Sequence, residues 1–179
     1  MDKCVFIHTN ERQWLGALVA EHSFRRNSAN ANKFDVRFIH TKDYPDLAEK
    51  EGKPFLRGGT TRVWRMDDLQ SFTPMRFLPP KLMNYQGRAV VTDPDIFAVG
   101  DIYELLTRDM EGKAVMGRHR SGKVEKASQV ATSVLLMDCE KLAHWQPEKE
   151  FDELFRFEKD YKAVSYTHLT LPTNTNAGS

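Results

Sequence analysis

An apolar run that ends in two carboxylates, Arg88-Ala-Val-Val-Thr-Asp-Pro-Asp95, carries the strongest structural signal in the chain. Ala89–Thr92 is short and rich in β-forming residues, so it predicts a buried strand. Asp93 and Asp95 follow at a spacing of two residues, which in an extended chain places both side chains on the same side. Ligands of open α/β sheets bind outside the carboxyl ends of the strands. The stretch therefore predicts a ligand site at the end of a central strand.

The two carboxylates favour a divalent cation. They repel each other unless a cation neutralises them, and hard oxygen ligands select Mg²⁺ or Mn²⁺. Such an ion can bridge to a diphosphate and stabilise it as a leaving group. Asp-Pro-Asp is also ordinary turn chemistry, so a purely structural turn over Asp93–Asp95 is the alternative.

The N-terminal part predicts a strand-helix-strand unit. Cys4–Ile7 is an apolar strand, and Asn10 is a candidate helix N-cap with Gln13 in capping-box position. Phe34–Ile39 predicts the second strand, and the spacing fits a right-handed crossover in a parallel sheet. The helix between them is expected to bury a stripe formed by Trp14, Leu15, Leu18, Val19 and His22.

Further strands and helices alternate along the rest of the chain, which predicts a single three-layer α/β domain. The predicted strands are Ala114–Gly117 and Ser133–Met137. The predicted helices are Tyr44–Lys50, Phe72–Leu78 (stopped by Pro79), Asp101–Arg108, Glu140–Trp145 and Glu148–Phe155. Gly52–Thr61 is expected to be a loop, and His8 is interpreted as a structural or surface residue.

Composition limits the function classes. The 179-residue chain carries 26 Lys and Arg against 25 Asp and Glu, a formal net charge of +1. A dedicated nucleic-acid binder needs a basic surplus for its phosphate contacts, so we expect no nucleic-acid partner. No apolar run approaches the roughly 20 residues of a membrane span, so we expect no transmembrane segment. The two cysteines exclude a disulfide framework, and a cytoplasmic location is the default expectation.

The last sixteen residues, 164–179, contain no Asp, Glu, Lys or Arg. Within them, Val164–Thr173 resembles the translation of a transposase adapter used in preparing DNA libraries. We therefore expect the native reading frame to end near Ala163. This predicts a truncated domain over residues 1–163 and a non-native, disordered tail over residues 164–179.

An ordered series of segments resembles the GT-A glycosyltransferases of family 8, over residues 4 to about 145. The segments are Phe6–Asn10, Trp14–Arg26, Phe72–Pro80, Asn84–Tyr85, Ala89–Asp95, Val99–Leu106 and Ala131–Asp138. The resemblance implies a Rossmann-like GT-A fold with a mostly parallel sheet, incomplete at the C-terminus. It also implies transfer of a hexose from a nucleotide-diphosphate sugar, in the first place a UDP-sugar, to a glycan, lipid or protein acceptor, with retention of configuration.

The resemblance assigns roles to individual residues and leaves the catalytic residue unknown. Asp93 and Asp95 would hold Mn²⁺ (or Mg²⁺) against the donor diphosphate, with Asp93 also near the ribose. The other donor-binding residues would be Thr9 and Asn10 at the nucleotide, Arg76 at phosphate or sugar oxygens, and Thr132 and Ser133 at the transferred sugar. Each has a structural alternative: Asn10 as a helix cap, Arg76 as a solvated helix residue, and Thr132 and Ser133 as the start of a strand.

Two features depart from the family pattern. Pro94 stands between the carboxylates, where the family more often has a small residue such as alanine. The family's C-terminal His-x-x-Gly-x-x-Lys segment, which completes the metal site, has no counterpart. Only His119-Arg-Ser-Gly122, within a basic loop over residues 118–123, matches half of it. We therefore expect this chain to bind metal and donor weakly.

Three other functions stay open. A haloacid-dehalogenase-type phosphatase would use Asp93 as its nucleophile, but it would need a threonine where Phe97 stands. A non-catalytic nucleotide-sugar-binding protein is compatible with the truncation. A nucleotidyltransferase would need a glycine-rich N-terminal loop, and no such loop is found.

Overall fold

The structure is a computed structural model that describes residues 2–68, 71–119 and 130–161. The predicted tail at 164–179 and most of the basic loop at 118–123 lie outside the described residues.

The described residues form a five-stranded sheet and a separate hairpin. The strands are β1 (Lys3–Thr9), β2 (Asp35–His40), β3 (Pro54–Arg57), β4 (Thr60–Val63), β5 (Arg88–Thr92), β6 (Val115–His119) and β7 (Val130–Asp138). The large sheet has the order β2-β1-β5-β7-β6, and β3 pairs with β4 in the hairpin. The α-helices are α1 (Trp14–Arg26), α2 (Pro45–Ala48), α3 (Pro79–Leu82), α4 (Ile102–Leu106) and α5 (Pro147–Phe155).

Four strands of the large sheet run in the same direction. β1 pairs in parallel with both β2 and β5. β7 runs antiparallel to β5 and to β6, so β6 points the same way as β1. The predicted strand-helix-strand unit and the mostly parallel sheet are both confirmed.

Both faces of the sheet are buried, which gives the domain its three layers. Along β1, Cys4 and Phe6 belong to one core cluster, whereas Val5 and Ile7 belong to the other. This alternation follows from the two-residue period of a strand. The first cluster, core A, includes residues of α2, α5 and the 3₁₀ turn Thr73–Phe77, and the second, core B, includes residues of α1 and α4. A central strand covered on both faces is therefore almost wholly apolar.

The predicted buried stripe of α1 is wrong at every residue except Trp14, which packs against core B. Leu15, Leu18 and Val19 are 75%, 40% and 47% exposed, and the buried residues of the helix are Ala17, Ala20 and Phe24. The reason is close packing, because α1 approaches the chain after β5. The Ala98 amide donates to Ser23 Oγ at 2.9 Å. A helix that comes this close to a backbone needs small side chains at the contact.

Two further predictions are corrected. The expected loop at 52–61 contains most of the β3–β4 hairpin, whose turn at Gly58 and Gly59 has φ values of 63° and 74°. The Asp160 carboxylate accepts hydrogen bonds from both glycine amides, at 2.8 and 2.7 Å. The expected helix at 72–78 is the 3₁₀ turn Thr73–Phe77, and α3 then begins at Pro79. Proline fits a first helical turn because the amide there needs no partner.

The region after β7 also differs from the prediction. The expected helix at 140–145 is a 3₁₀ turn over Cys139–Leu142. The predicted helices at 44–50, 101–108 and 148–155 are present as α2, α4 and α5, the first two shorter than expected.

Gly16→Ala tests how closely α1 is packed against the segment after β5. A methyl group at Gly16 would lie 2.8 Å from the Pro94 carbonyl oxygen, which is backbone and yields only if the loop moves. Alanine gains about 1 kcal/mol in helix propensity, but overpacking costs about 1–3 kcal/mol. We expect urea denaturation to show a net loss of about 1 kcal/mol in the free energy of unfolding.

Gly100→Ala is the matched control, since an added Cβ there meets nothing within 4 Å. We expect it to change stability by less than about 0.5 kcal/mol. A Gly16→Ala chain as stable as the wild type would show that α1 and the Pro94 backbone are not in close contact.

Candidate functional site

Residues that are distant in sequence meet at one edge of the large sheet. β1 and β5 run in parallel, so their carboxyl ends lie at the same edge, and the antiparallel β7 begins there. The register pairs Ile7 of β1 with Thr92 of β5. His8 and Asp93 are the next residues of the two chains, so they lie side by side at the ends of neighbouring strands. The Asp93 amide donates to the Ser133 carbonyl at 2.9 Å, which anchors Asp93 to the start of β7.

Asp93 is the centre of a polar cluster. Its Oδ1 lies 2.6 Å from Nε2 of His8, and it accepts a hydrogen bond of 3.1 Å from Nη2 of Arg76. The other guanidinium nitrogen, Nη1, donates to Oγ1 of Thr132. Four side chains, from β1, the 3₁₀ turn Thr73–Phe77, the end of β5 and β7, are therefore joined in one network.

The charges in this network follow from burial and from its hydrogen bonds. His8 is completely buried, and desolvation lowers its pKa to about 4 even though the hydrogen bond to Asp93 acts in the opposite direction. Burial raises the pKa of Asp93, but the hydrogen bond from His8 and the charge of Arg76 outweigh it, so that pKa lies below its usual value. Near neutral pH, Asp93 is thus ionised and His8 is neutral. Because an ionised carboxylate can only accept, Nε2 of His8 carries the ring proton and donates a hydrogen bond to Asp93.

Asp95 lies in a turn. Pro94 and Asp95 form turn backbone, and the Ile96 amide donates to the Asp93 carbonyl at 3.3 Å. The extended geometry predicted for the carboxylate pair is therefore wrong, and the turn alternative describes the backbone. A proline at the second position of a β-turn is favourable because its φ angle is already near the required value. The Asp95 side chain is exposed, and it is near enough to His8 for its charge to act on the pKa of the ring.

The carboxylates fit a cation only as part of a ligand set. Oδ1 of Asp93 is already bonded twice, whereas its Oδ2 accepts no hydrogen bond from a described residue. Within residues 2–68, 71–119 and 130–161, no group of three or more His, Cys, Asp or Glu side chains is placed to hold a metal ion. Two carboxylates with free oxygens suit a hard cation, but a further ligand has to come from the donor, water or another segment.

Thr9 and Asn10 have structural roles at the same edge. Both are buried, and the Thr9 hydroxyl donates to the Asn10 carbonyl. The Asn10 side chain accepts from the Gln13 amide at 3.1 Å, as predicted for a cap, and donates to the Asp68 carbonyl and the Ser71 hydroxyl at 2.8 and 2.9 Å. The Asn10 amide group is thus fully engaged, and its contact with a nucleotide stays a prediction.

The remaining residues predicted to bind the sugar donor differ in their environments. Arg76 is buried and doubly bonded, so the solvated-residue alternative is wrong. Thr132 and Ser133 are half-buried in β7. Thr132 meets Arg76 through its hydroxyl, and Ser133 meets Asp93 through its carbonyl. Their contact with a sugar stays a prediction.

His8 was missed by the sequence reasoning. Its signal is a polar residue directly after the apolar run Cys4–Ile7, at a position of β1 that is still buried. That signal becomes specific only when the pairing of β1 with β5 is known, because the pairing places His8 beside Asp93.

Comparisons with known proteins bear on the fold. No protein-family model matches the chain, and no curated protein matches it. Solved structures do match. The apo form of the glycosyltransferase GlyE from Streptococcus pneumoniae TIGR4 superposes with a TM-score of 0.59 at 14% identity, over 95% of this chain and 43% of GlyE.

Two other glycosyltransferase structures are similar. An active-site mutant of LgtC matches with a TM-score of 0.56 at 14% identity, over 88% of this chain and 66% of LgtC. Mouse xyloside xylosyltransferase 1 matches with a TM-score of 0.51 at 13% identity, over 94% of this chain and 83% of that enzyme. The chain thus has the three-layer, Rossmann-like α/β fold of GT-A glycosyltransferases, as predicted. It spans less than half the length of GlyE.

One further finding concerns membranes. Among the described residues, no helix combines the length and apolar character needed to cross a bilayer.

Arg76→Met tests the buried ion pair. The substitution keeps much of the side-chain volume but leaves the Asp93 carboxylate without a positive charge, and breaking a buried pair in this way is strongly destabilising. We expect urea denaturation at pH 7 to show a loss of about 3 kcal/mol. The double variant Arg76→Met/Asp93→Asn should recover part of that loss because the unpaired charge is gone.

The matched control is Arg62→Met, at an exposed position in β4. It should change stability by less than about 0.5 kcal/mol. Strictly additive effects of Arg76→Met and Asp93→Asn would contradict a direct coupling between the two side chains.

His8 also predicts a pH dependence of stability. The unfolded chain binds a proton at His8 below about pH 6.5, whereas the folded chain binds it only near pH 4. The free energy of unfolding should therefore decrease as the pH falls through this window, by about 3 kcal/mol from this one group. Urea denaturation of the wild type and of His8→Gln, in a chelator, measures the difference in slope. His144→Gln, at an exposed position, should keep the wild-type slope, and parallel curves for wild type and His8→Gln would refute the prediction.

Proposed function

We propose that the chain is the donor-binding part of a metal-dependent glycosyltransferase similar to family 8. Its reaction would transfer a hexose from a nucleotide-diphosphate sugar, in the first place a UDP-sugar, to a glycan, lipid or protein acceptor. One observation carries the proposal: an ionised Asp93 at the carboxyl end of a central strand keeps one oxygen free, beside the exposed Asp95. The matched fold of GlyE and LgtC supports the same conclusion.

Asp93 and Asp95 are the proposed metal ligands. A bound Mn²⁺ or Mg²⁺ ion would supply Lewis-acid stabilisation of the negative charge that develops on the leaving diphosphate. The chain contributes a metal ligand, the Asp93 carboxylate, that is already ionised. Because Arg76 and His8 keep Asp93 ionised near neutral pH, no proton has to leave before a cation binds.

Arg76 is the proposed source of fixed positive charge near the donor. Two of its nitrogens are engaged with Asp93 and Thr132, and its Nε is buried without a hydrogen-bond partner. A guanidinium held in this way acts through its field and its permanent charge. Thr132 and Ser133, at the start of β7, would then border the transferred sugar, and Thr9 and Asn10 would border the nucleotide.

The metal site needs a ligand beyond these two carboxylates. The resemblance to family 8 implies that a histidine of a His-x-x-Gly-x-x-Lys segment supplies it. This chain spans 43% of GlyE, so the remaining ligand is proposed to lie in a part of the protein that corresponds to the rest of that length. Weak metal binding and impaired turnover are expected for the 179 residues alone.

A second candidate function is non-catalytic binding of a nucleotide sugar. It is favoured by the incomplete ligand set among the described residues. The two functions differ in one measurable way: a transferase releases the nucleoside diphosphate from a UDP-sugar, whereas a binding protein does not.

Asp95→Ala tests the proposed metal site. We expect 5 mM Mn²⁺ with 5 mM UDP to raise the melting temperature of the wild-type chain by about 2–4 °C, because ligands that bind only the folded state stabilise it. The increase should disappear in Asp95→Ala and on addition of EDTA. Differential scanning fluorimetry measures the shift, with GDP as the alternative nucleotide.

Asp46→Ala is the control variant, since Asp46 is exposed in the first turn of α2. It should retain the full shift. The proposal fails if neither UDP nor GDP with Mn²⁺ shifts the wild type, or if Asp95→Ala shifts as much as the wild type.

A further inference from the structure

We propose that His8 is a positioning residue for the cation site. With Arg76, it holds Oδ1 of Asp93 and directs Oδ2 toward the ion, so that Asp93 binds the cation through a single oxygen. The inference rests on the proposed function, because it deepens the role of the same carboxylate.

The strands bring His8 and Asp93 to the same face. Alternation along β1 places His8 on the side of Phe6, and alternation along β5 places Asp93 on the side of Val91. Phe6 and Val91 are both members of core A. Since the register puts His8 and Asp93 at the same level, the short separation of their side chains is a consequence of the sheet itself.

The same face receives Arg76. Its neighbours Met75 and Phe77 belong to core A, so the 3₁₀ turn that carries Arg76 packs on that side of the sheet. Both donors to Asp93 therefore approach from within the protein.

The His8 ring is held in place by packing. It is completely buried and lies against Phe72, with 4.9 Å between the ring centroids. A ring in such a position cannot follow a moving carboxylate, so the carboxylate has to adapt to the ring. The Nε2–Oδ1 separation of 2.6 Å is short for a hydrogen bond from a ring nitrogen, which is typical of an ionised acceptor.

The hydrogen bonds of Asp93 are distributed unequally. Oδ1 accepts from both Nε2 of His8 and Nη2 of Arg76. Oδ2 accepts from no described residue. Because both donors bond to Oδ1, Oδ2 is the oxygen that stays available to bind a cation. Asp93 and Asp95 would then hold a bound cation, with Asp93 contributing one oxygen and further oxygens coming from a diphosphate or water.

The opposite ring nitrogen of His8 supports this assignment. Nδ1 is buried and has no hydrogen-bond partner among the described residues. His8 is thus not a link in a longer polar chain, and its contact with Asp93 is its one side-chain hydrogen bond within the described part of the molecule.

The test measures Mn²⁺ alone, by electron paramagnetic resonance, on the full 179-residue chain. His8→Leu removes the donor, whereas His8→Gln keeps an N–H group at a similar distance from the backbone. We expect His8→Leu to weaken Mn²⁺ binding about 10-fold or more, as is typical when a partner of a metal ligand is lost. His8→Gln should restore binding to within about 3-fold of the wild type, and His144→Leu, at an exposed position, should not change it.

The outcomes separate this inference from the proposed function. Absence of Mn²⁺ binding by the wild type, or undiminished binding by Asp95→Asn, overturns both. If Asp95→Asn loses binding while a folded His8→Leu retains it, or if His8→Gln binds as poorly as His8→Leu, the positioning role is wrong and the metal site remains. If His8→Leu does not fold, His8→Asn replaces it. The shorter asparagine side chain does not reach Asp93, so this variant should bind Mn²⁺ as weakly as is expected for His8→Leu.

A second measurement needs no metal. Long-range ¹H–¹⁵N NMR of the metal-free chain at pH 7 reports which ring nitrogen of each histidine carries the proton. We expect the Nε2–H form for His8, with an Asp93→Ala variant perturbing its Nε2 proton. A proton on Nδ1 of His8 would overturn the assignment, since Nε2 could not then donate to Asp93.

Discussion

The Asp93 carboxylate is ionised although its side chain is only 24% exposed, and the groups that make this possible come from other segments of the chain. A carboxylate in such a position is unfavourable without a positive partner and hydrogen-bond donors. Arg76 provides the charge, and His8 provides a neutral donor. The arrangement of β1, β5, β7 and the 3₁₀ turn Thr73–Phe77 is what brings these groups together. If the 3₁₀ turn moved away from the end of β5, the charges of Arg76 and Asp93 would be left unpaired at the edge of the sheet.

The directions of the strands explain why the cluster lies at this edge. β1 and β5 are parallel and end together, whereas β7 is antiparallel and starts where they end. Three segments that are far apart in sequence thus deliver polar residues to one place, while the interiors of the same strands remain apolar. On the opposite face, α1 approaches the Pro94 carbonyl so closely that a Cβ at position 16 would lie 2.8 Å from its oxygen. The turn that carries Asp95 is therefore backed by a helix, and its position depends on small side chains as much as on the proline.

Several features were predictable because they depend on neighbouring residues. The apolar run Ala89–Thr92 is a buried strand, and Asn10 caps the turn before α1. The local pattern was misleading where one sequence pattern is compatible with two different structures. The Asp93–Asp95 pair forms a turn because Pro94 favours one, although the same spacing also suits an extended strand. In α1, the apolar stripe of Leu15, Leu18 and Val19 predicted the wrong face, because the neighbouring backbone excluded large side chains from the contact.

The sequence by itself determined the strands of the large sheet, their alternation with helices, and the carboxylates at the end of β5. Hydrophobic period, capping residues and prolines act over a few positions, so they can be interpreted without knowing the fold. Only the tertiary structure decided which face of α1 is buried and which groups keep Asp93 ionised. His8 and Asp93 are 85 positions apart, and Arg76 and Thr132 are 56 apart. Contacts over such distances depend on strand order and register, which arise from packing of the whole sheet and have no local pattern.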